Sequence, residues 1–252
     1  MDKKIFKVKG TYVNGQWLNS KDRYDIYNPS NGEKLSDVPI SDKKELELAV
    51  DSAKKAQLIW SKTSLIERAN ALEKLAKKIL EKEEEFALID TYDSCNALTG
   101  MRKDRKETVN NIRYFCGLVR EVKGETFSME KNHLNFTRYQ PYGVVLKINP
   151  FNHPFRFCVE KIAAPLLMGN SLIIKNSEQA PISSLRFCEL LEDIFPKGLI
   201  NVVTGGPDNG KFLVEHPDIK RIAVIGSVNT GICLLYTSDA ADDTPCVDLG
   251  GR

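Results

Sequence analysis

The chain has 252 residues, with 36 Lys and Arg against 34 Asp and Glu and a formal net charge of +2. This length is enough for one large domain or two domains of ordinary size, each with a hydrophobic core. The balanced charge gives no electrostatic basis for binding nucleic acid or a membrane surface, so neither is predicted as a partner. No apolar run approaches the roughly 20 residues that a membrane-spanning helix requires.

The six cysteines are scattered and form no CxxC pair; they lie at positions 95, 116, 158, 188, 233 and 246. In a chain of this size, such spacing indicates free thiols in a reducing compartment rather than a disulfide framework. The N-terminal sequence MDKKIFKVKG lacks the apolar core of a signal peptide. We therefore expect a cytoplasmic protein, and no metal site is predicted.

Residues 1–40 contain several turn signals between short β-like pieces, among them Asn14-Gly15 and Asn31-Gly32. Such pairs favour tight turns and interrupt regular structure. The pattern predicts an irregular β arm with one or two hairpins that lies on the main body.

Residues 41–123 have helical periodicity, because apolar side chains recur three or four positions apart. Asp42 can cap a first helix. Ser64 and Glu67 have the spacing of a capping box, which marks the start of a second helix. The charged run 81–85 is interpreted as the solvated face of that second helix. The first predicted helix follows the change of period at Ser41 and includes Leu46 to Trp60, the second runs from Ser64 to about Ile89, and the third covers about residues 102–122.

Residues 124–142 form a predicted excursion from the main body. Gly124 ends the helical region, and the sequence LNFTRY, residues 134–139, alternates like a strand with one solvated face. Such an excursion can be an oligomer contact or a plain surface hairpin, and the pattern leaves both open.

From residue 143 to 231, short β-branched runs alternate with helical segments. This alternation predicts an α/β fold: a Rossmann-like, doubly wound parallel sheet with right-handed crossovers, preceded by the helices and the hairpin excursion. The predicted strands are 144–148, 171–175, 199–203 and 220–225, and the predicted helices between them are 155–168, 183–195 and 208–215.

The first candidate functional residue, Asn152, follows the first of these strands and stands between Pro150 and Pro154. Ligands bind at the carboxyl ends of strands in open parallel sheets. The two prolines fix the backbone on either side, so the turn is rigid. A rigid amide at this place can donate to a developing oxyanion. The alternative is an asparagine that stabilises only its own turn.

Polar and glycine-rich segments follow the other three strands. Lys175 and Glu178, three residues apart, can hold a ribose diol between a donor and an acceptor, and the carboxylate would disfavour a 2′-phosphate. The alternative is an ordinary solvated ion pair. Glycines at Gly205-Gly206 and in residues 226–231 permit a close approach to phosphate, although neither turn has the GxGxxG pattern.

Four of these segments, KINPFNHP, KNSEQAP, NVVTGG and GSVNTG, occur in the order and at the spacings of one family. The chain resembles the aldehyde dehydrogenase superfamily from about Tyr12 to Gly231. The N-terminal pieces YVNGQW, YNPSNGE and IWSKTSLIERANALEKLA are also similar. The departures are mild: Asn176 stands where proline is usual, and Val224-Ile225 replace an aromatic-threonine pair.

The resemblance implies oxidation of a small-molecule aldehyde to a carboxylic acid, with NAD or NADP as cofactor. In this family a cysteine thiolate attacks the aldehyde, and an asparagine amide with a backbone amide stabilises the hemithioacetal oxyanion. Hydride passes to the nicotinamide, and a glutamate activates the water that releases the acid. We also expect the full-length protein to form a homodimer or homotetramer.

Asn152 matches the oxyanion asparagine of the family. The other matched positions imply cofactor contacts: Ile148, Asn149, Pro150 and Phe151 at the wall of the groove, Lys175, Ser177 and Glu178 at the adenosine ribose, Gly205 by the adenine, and Gly226 and Ser227 near the pyrophosphate.

Residues 232–252 form a tail that is expected not to be native sequence. It makes a poor helix by propensity and periodicity and resembles translated sequencing-adapter DNA. The alternative is that VDLGGR replaces the family's Glu-Leu-Gly-Gly-Lys strand, with Asp248 at the position of the base. In either case the nucleophilic cysteine is expected beyond Arg252, so the chain alone is expected to be an inactive, truncated cofactor-binding portion.

Two other functions stay open at this point. One is a non-catalytic nucleotide-binding or assembly module that has the fold without the chemistry. The other is an acyl-CoA or acyl-phosphate reductase that uses the same cofactor site.

Overall fold

A computed structural model describes residues 3–129, 133–228 and 231–232. The predicted tail therefore lies almost entirely outside the described residues. The α-helices are α1 (Lys43–Trp60), α2 (Leu65–Glu81), α3 (Glu83–Ser94), α4 (Leu98–Leu118), α5 (Pro154–Val159), α6 (Ala163–Leu167), α7 (Ile182–Phe187) and α8 (Pro207–Val214). The strands are β1 (Thr11–Val13), β2 (Gln16–Leu18), β3 (Arg23–Tyr27), β4 (Lys34–Pro39), β5 (Thr126–Phe127), β6 (Asn135–Phe136), β7 (Val144–Ile148), β8 (Ser171–Lys175), β9 (Ile200–Val203) and β10 (Ile219–Val224).

A six-stranded sheet in the order β10-β7-β8-β9-β1-β2 organises the molecule. The four strands β7 to β10 are parallel, and they match the four predicted strands to within one residue at each end. This confirms the predicted α/β fold. The order of the strands reverses after β9, because β10 pairs on the far side of β7. The sheet is therefore doubly wound.

The first 40 residues contribute more to the main body than the predicted irregular arm. The hairpin β1–β2 extends the main sheet, since β1 pairs antiparallel to β9 with Tyr12 opposite Val202. Only the second hairpin, β3–β4, forms a separate two-stranded sheet. Val13 is fully buried, so the first hairpin is part of the hydrophobic core.

Helices cover both faces of the sheet, and alternate residues of each strand face different layers. Val145 and Leu172 belong to the larger cluster, with helices α2 to α7. Val144 and Ile173 belong to the smaller cluster, with α1 and α8.

The predicted second helix, residues 64–89, is two helices. The backbone of Lys82 has φ −118° and ψ 18°, which ends α2 and begins α3. Glu83, Glu84 and Glu85 then occupy the first turn of α3, where negative charge is favoured by the helix dipole. The charged run therefore marks a helix boundary as well as a solvated face.

The crossover predicted as one helix over 155–168 is also interrupted. A 3-10 turn, Glu160–Ile162, separates α5 from α6. Pro165 lies within α6 and has no N–H to donate, so a continuous α-helix through this point would lose a hydrogen bond. The helix predicted over 183–195 likewise ends early: α7 is followed by a 3-10 turn, Cys188–Leu190, and Asp193 has φ 63°.

Candidate functional site

The carboxyl ends of the four parallel strands lie at one level on one edge of the sheet. Ile148 is opposite Lys175 on one side and Val224 on the other, and Lys175 is opposite Val203. Two hydrogen bonds continue this alignment beyond the strands, from Asn149 N to Lys175 O at 3.0 Å and from Ile225 N to Ile148 O at 3.1 Å. The four predicted site segments therefore meet at one crevice.

Lys175 is the last residue of β8, and only 6% of it is exposed. Its ammonium makes no hydrogen bond or ion pair with the described residues. Its methylene chain lies by Gly210 of α8, where an added Cβ would be 3.6 Å from Cε. Burial lowers the pKa of Lys175, and the nearby Glu178 carboxylate acts in the opposite direction. An oxygen ligand at this amine would restore the hydrogen bonds that burial removes.

The glycine pair after β9 forms the opposite wall of the crevice. Gly205 has φ +130°, and an added Cβ would lie 2.1 Å from Asn209 Nδ2, so only glycine fits. A Cβ on Gly206 would lie 3.2 Å from Glu178 Oε1. The carboxylate of Glu178 thus stands against the glycine turn at the start of α8.

The segment after β7 divides into a buried part and an exposed part. Asn149 is buried, and its Nδ2 donates to Asn176 Oδ1 at 3.2 Å, which joins the ends of β7 and β8. Phe151 and Asn152 are exposed at the edge, and Pro150 is half-buried between them and the sheet. The amide side chain of Asn149 therefore has a structural partner, whereas Asn152 faces outward.

The remaining predicted cofactor residues lie at the same edge. Ile148 and Ser177 are half-buried, and Ser177 Oγ accepts from Gln179 N at 3.3 Å. Gly226 and Ser227 are exposed and follow the end of β10 by one intervening residue, Ile225.

Three polar contacts hold the turn around Asn152, and local sequence patterns did not reveal them. Asn96 Nδ2 donates to the main-chain O of Asn152 at 2.6 Å. His153 Nδ1 lies 2.6 Å from Asp104 Oδ2 of α4. The N–H of Phe155 donates to Asp90 Oδ2 at 3.3 Å. The local signal that points to these contacts is a carboxylate, Asp90 in α3 and Asp104 in α4, at a helix position whose neighbours include buried apolar residues.

The cysteines among the described residues, Cys95, Cys116, Cys158 and Cys188, are all free thiols. Burial raises the pKa of Cys158 to about 11, and that of Cys116 to about 11. These two thiols are therefore protonated at neutral pH and unsuited to attack a carbonyl. Cys233 and Cys246 lie outside the described residues. None of the helices in the described ranges is both long and apolar enough to cross a membrane.

The fold and the edge crevice define the class: a doubly wound α/β protein with a ligand site at the carboxyl ends of its parallel strands. A model of the aldehyde dehydrogenase family matches residues 17–252, and the chain belongs to that family. The matched range includes the tail that the sequence analysis expects to be non-native.

Curated relatives are similar along almost the whole chain. Aldehyde dehydrogenase tropH of Talaromyces stipitatus is 33% identical over 246 residues, which cover 96% of this chain and 48% of that protein. The 4-trimethylaminobutyraldehyde dehydrogenase of Rattus norvegicus is 33% identical over 227 residues, which cover 90% of this chain and 46% of that protein. The chain thus spans about half the length of the curated relatives that it matches.

Solved structures give the same result. The betaine aldehyde dehydrogenase of Staphylococcus aureus, in complex with NAD+, matches with a TM-score of 0.89 and 31% identity. The match covers 94% of this chain and 48% of that one.

Proposed function

We propose that this chain is the cofactor-binding portion of a longer enzyme that oxidises a small-molecule aldehyde to a carboxylic acid with NAD. The observation that carries the proposal is a pair of side chains at the crevice. The Lys175 ammonium is buried and has no hydrogen-bond or ion-pair partner among the described residues, and the Glu178 carboxylate lies near it. A donor and an acceptor so arranged suit the two hydroxyls of a ribose.

The geometry favours NAD over NADP. Glu178 stands against Gly206, so a 2′-phosphate on a ribose held by Lys175 would approach a carboxylate. Repulsion between the negatively charged phosphate and the Glu178 carboxylate would weaken the binding of NADP. The complex of the Staphylococcus aureus relative with NAD+ supports the same cofactor.

Asn152 is proposed to donate its side-chain amide to the oxyanion that forms when a thiolate adds to the aldehyde. Its exposed place beside the crevice and the rigid turn that carries it suit this role. The bound nicotinamide would supply the acceptor for hydride. The thiols of Cys116, Cys158 and Cys188 do not suit the nucleophile, because burial raises their pKa. The resemblance to the family further supports a nucleophile that comes from a part of the enzyme beyond this chain.

The names of the relatives support a small aldehyde as substrate. They include 4-trimethylaminobutyraldehyde and hydroxyisobutyraldehyde dehydrogenases. The free thiols support the cytoplasm as the location. The hairpin β5–β6 exposes 46% of Phe127 and 66% of Phe136, which supports an oligomer contact and hence a homodimer or homotetramer.

The test is the variant Asn152→Ala in the full-length gene product, with NADH formation followed by absorbance. We expect kcat to fall about 10²- to 10³-fold with little change in KM, because the amide acts mainly in the transition state. Asn110→Ala, an exposed asparagine of α4, is the control. Unchanged kcat in Asn152→Ala would remove the oxyanion role. Activity only in the reverse direction, with an acyl-CoA or acyl phosphate, would favour the reductase alternative.

A further inference from the structure

Hydrogen bonds from the segment that follows α3 hold the turn that carries Asn152. Asn96 uses both protons of its side-chain amide: Nδ2 donates to Asn152 O at 2.6 Å and to Ser94 Oγ at 2.8 Å. Ser94 Oγ in turn donates to Asp90 O at 2.7 Å. The carbonyl of Asn152 is therefore connected to the last turn of α3 by a continuous series of hydrogen bonds.

The same helix end also holds the other side of the turn. Asp90 Oδ2 accepts the N–H of Phe155, three residues after Asn152. Arg105 of α4 donates to the same carboxylate oxygen, and both charged side chains are fully buried. The guanidinium of Arg105 also lies 4.2 Å from the ring centroid of Phe155. A buried ion pair of this kind keeps its carboxylate in one place, because leaving either charge unpaired is costly.

The backbone after α3 brings Asn96 to its place. Cys95 adopts φ 60° and ψ 22°, the left-handed conformation that reverses the chain at the end of a helix. Its Sγ lies 3.1 Å from Ser30 Oγ of the β3–β4 hairpin. Asn96 is the next residue, half-buried, and its side chain reaches the carbonyl of Asn152.

We infer that Asn96 is a positioning residue for the Asn152 amide, an inference that rests on the proposed function. The hydrogen bond from Asn96 fixes the peptide plane that follows Asn152, while Asp90 fixes the start of α5. The direction of the Asn152 side chain depends on that backbone, and a misplacement of about 1 Å costs about 100-fold in rate. Asn96 itself bonds the main chain of Asn152, so its effect on the reaction is exerted through Asn152.

The first experiment uses Asn96→Ala and Asn96→Asp in the full-length gene product. Ala removes both donors, and we expect kcat to fall about tenfold, the value of one typical hydrogen bond. Asp keeps the shape but places a carboxylate against the Asn152 carbonyl, so kcat should fall further, by about 100-fold. KM for the aldehyde and the dissociation constant of NAD should change less than about twofold, because the loss is specific to the transition state. Asn110→Asp, which adds the same charge on exposed α4, should leave kcat unchanged.

The second experiment repeats Asn96→Ala in the Asn152→Ala background. Without the Asn152 amide, Asn96 has no group to position. The loss of kcat caused by Asn96→Ala should therefore shrink from about tenfold to less than about twofold. An equal loss in both backgrounds, or no loss in either, would overturn the role of Asn96 while leaving the proposed function in place. If Asn152→Ala alone leaves kcat unchanged, the proposed oxyanion role of Asn152 is itself wrong. A similar loss of kcat accompanied by a large fall in melting temperature for both Asn96 variants would assign Asn96 to stability and overturn the inference.

Discussion

At the scale of single residues, Asp93 is a carboxyl group that the fold keeps away from water. Its Oδ2 accepts the N–H of Ile182, the first residue of α7, at 2.9 Å. Its Oδ1 has no hydrogen-bond partner within the described part of the chain. Burial raises the pKa of Asp93 well above the ordinary value of 3.8; the Ile182 hydrogen bond opposes this, and the nearby Asp90 adds to it.

This pKa predicts how stability depends on pH. The folded state holds the Asp93 proton more tightly than the unfolded state, so the contribution of Asp93 is fully present below pH 3.8. It is lost as pH rises from there through the raised folded pKa. Asp93→Asn has no proton to lose, and its free energy of unfolding should fall less with rising pH. Urea unfolding at a series of pH values measures this slope.

The exposed Asp22→Asn serves as the control for Asp93, since it should keep the wild-type slope. Parallel slopes for wild type and Asp93→Asn would show that Asp93 ionises normally in the folded protein.

Residues with local roles could be predicted from the sequence, whereas residues with distant partners could not. Asp42 and Ser64 cap α1 and α2 as expected, because a cap involves neighbours three positions away. The predicted crevice residues meet at one edge because parallel strands align their carboxyl ends. Asn96 and Asp104 were missed because their partners lie 56 and 49 residues away, a separation that no local pattern encodes.

At the scale of elements, α2 depends on its capping box. Ser64 Oγ accepts the N–H of Glu67 at 3.1 Å, and Glu67 Oε2 accepts the N–H of Ser64 at 2.8 Å. Ser64→Ala removes the first of these bonds and should lower the free energy of unfolding by about 1 kcal/mol. The melting temperature should fall by about 2–4 °C in a chain of this size.

Lys74→Ala is the matched control for Ser64→Ala, because Lys74 is exposed in the middle of α2. It should change the free energy of unfolding by less than about 0.5 kcal/mol. Equal melting temperatures for Ser64→Ala and wild type would mean that solvent replaces the cap at no cost.

The existence of the helices could be predicted more reliably than their continuity. The apolar spacing resumes in phase at Phe86, seven residues after Ile79, so the pattern continues on the far side of Lys82 although α2 ends there and α3 begins. Both helices pack on α4. Packing between helices depends on tertiary contacts, and the spacing of apolar residues along the sequence does not encode those contacts. Pro165 is different, since proline within a helical pattern is itself a local signal for a break.

At the scale of the whole molecule, the sequence specified the parallel core but not the full sheet. Strand and helix alternate from β7 onward, and right-handed crossovers leave few arrangements for such a chain. The pairing of β1 with β9 joins Tyr12 to Val202, across nearly the whole chain. Turn signals predicted the first hairpin, but its place beside β9 depends on core packing that forms only when both ends of the chain meet.

If NAD binds the crevice at the carboxyl ends of the parallel strands, as proposed, its binding should stabilise the whole molecule. A ligand that binds only the folded state stabilises it by about 2.7 kcal/mol at 100 times its dissociation constant. For a full-length protein about twice as long as this chain, that corresponds to a rise in melting temperature of about 3–5 °C. NAD should produce this rise in the full-length gene product, and NADP at the same concentration should produce a smaller one, because its 2′-phosphate would approach Glu178.

Glu178→Gln should narrow the difference between the two cofactors, since it removes the negative charge and keeps the shape of the side chain. Glu215→Gln, at the exposed end of α8, changes the net charge equally and should preserve the difference. If the NAD and NADP shifts keep their ratio in Glu178→Gln, the carboxylate does not select the cofactor. If neither cofactor shifts the melting temperature of the wild-type protein, the crevice at the ends of β8 and β9 is not a dinucleotide site.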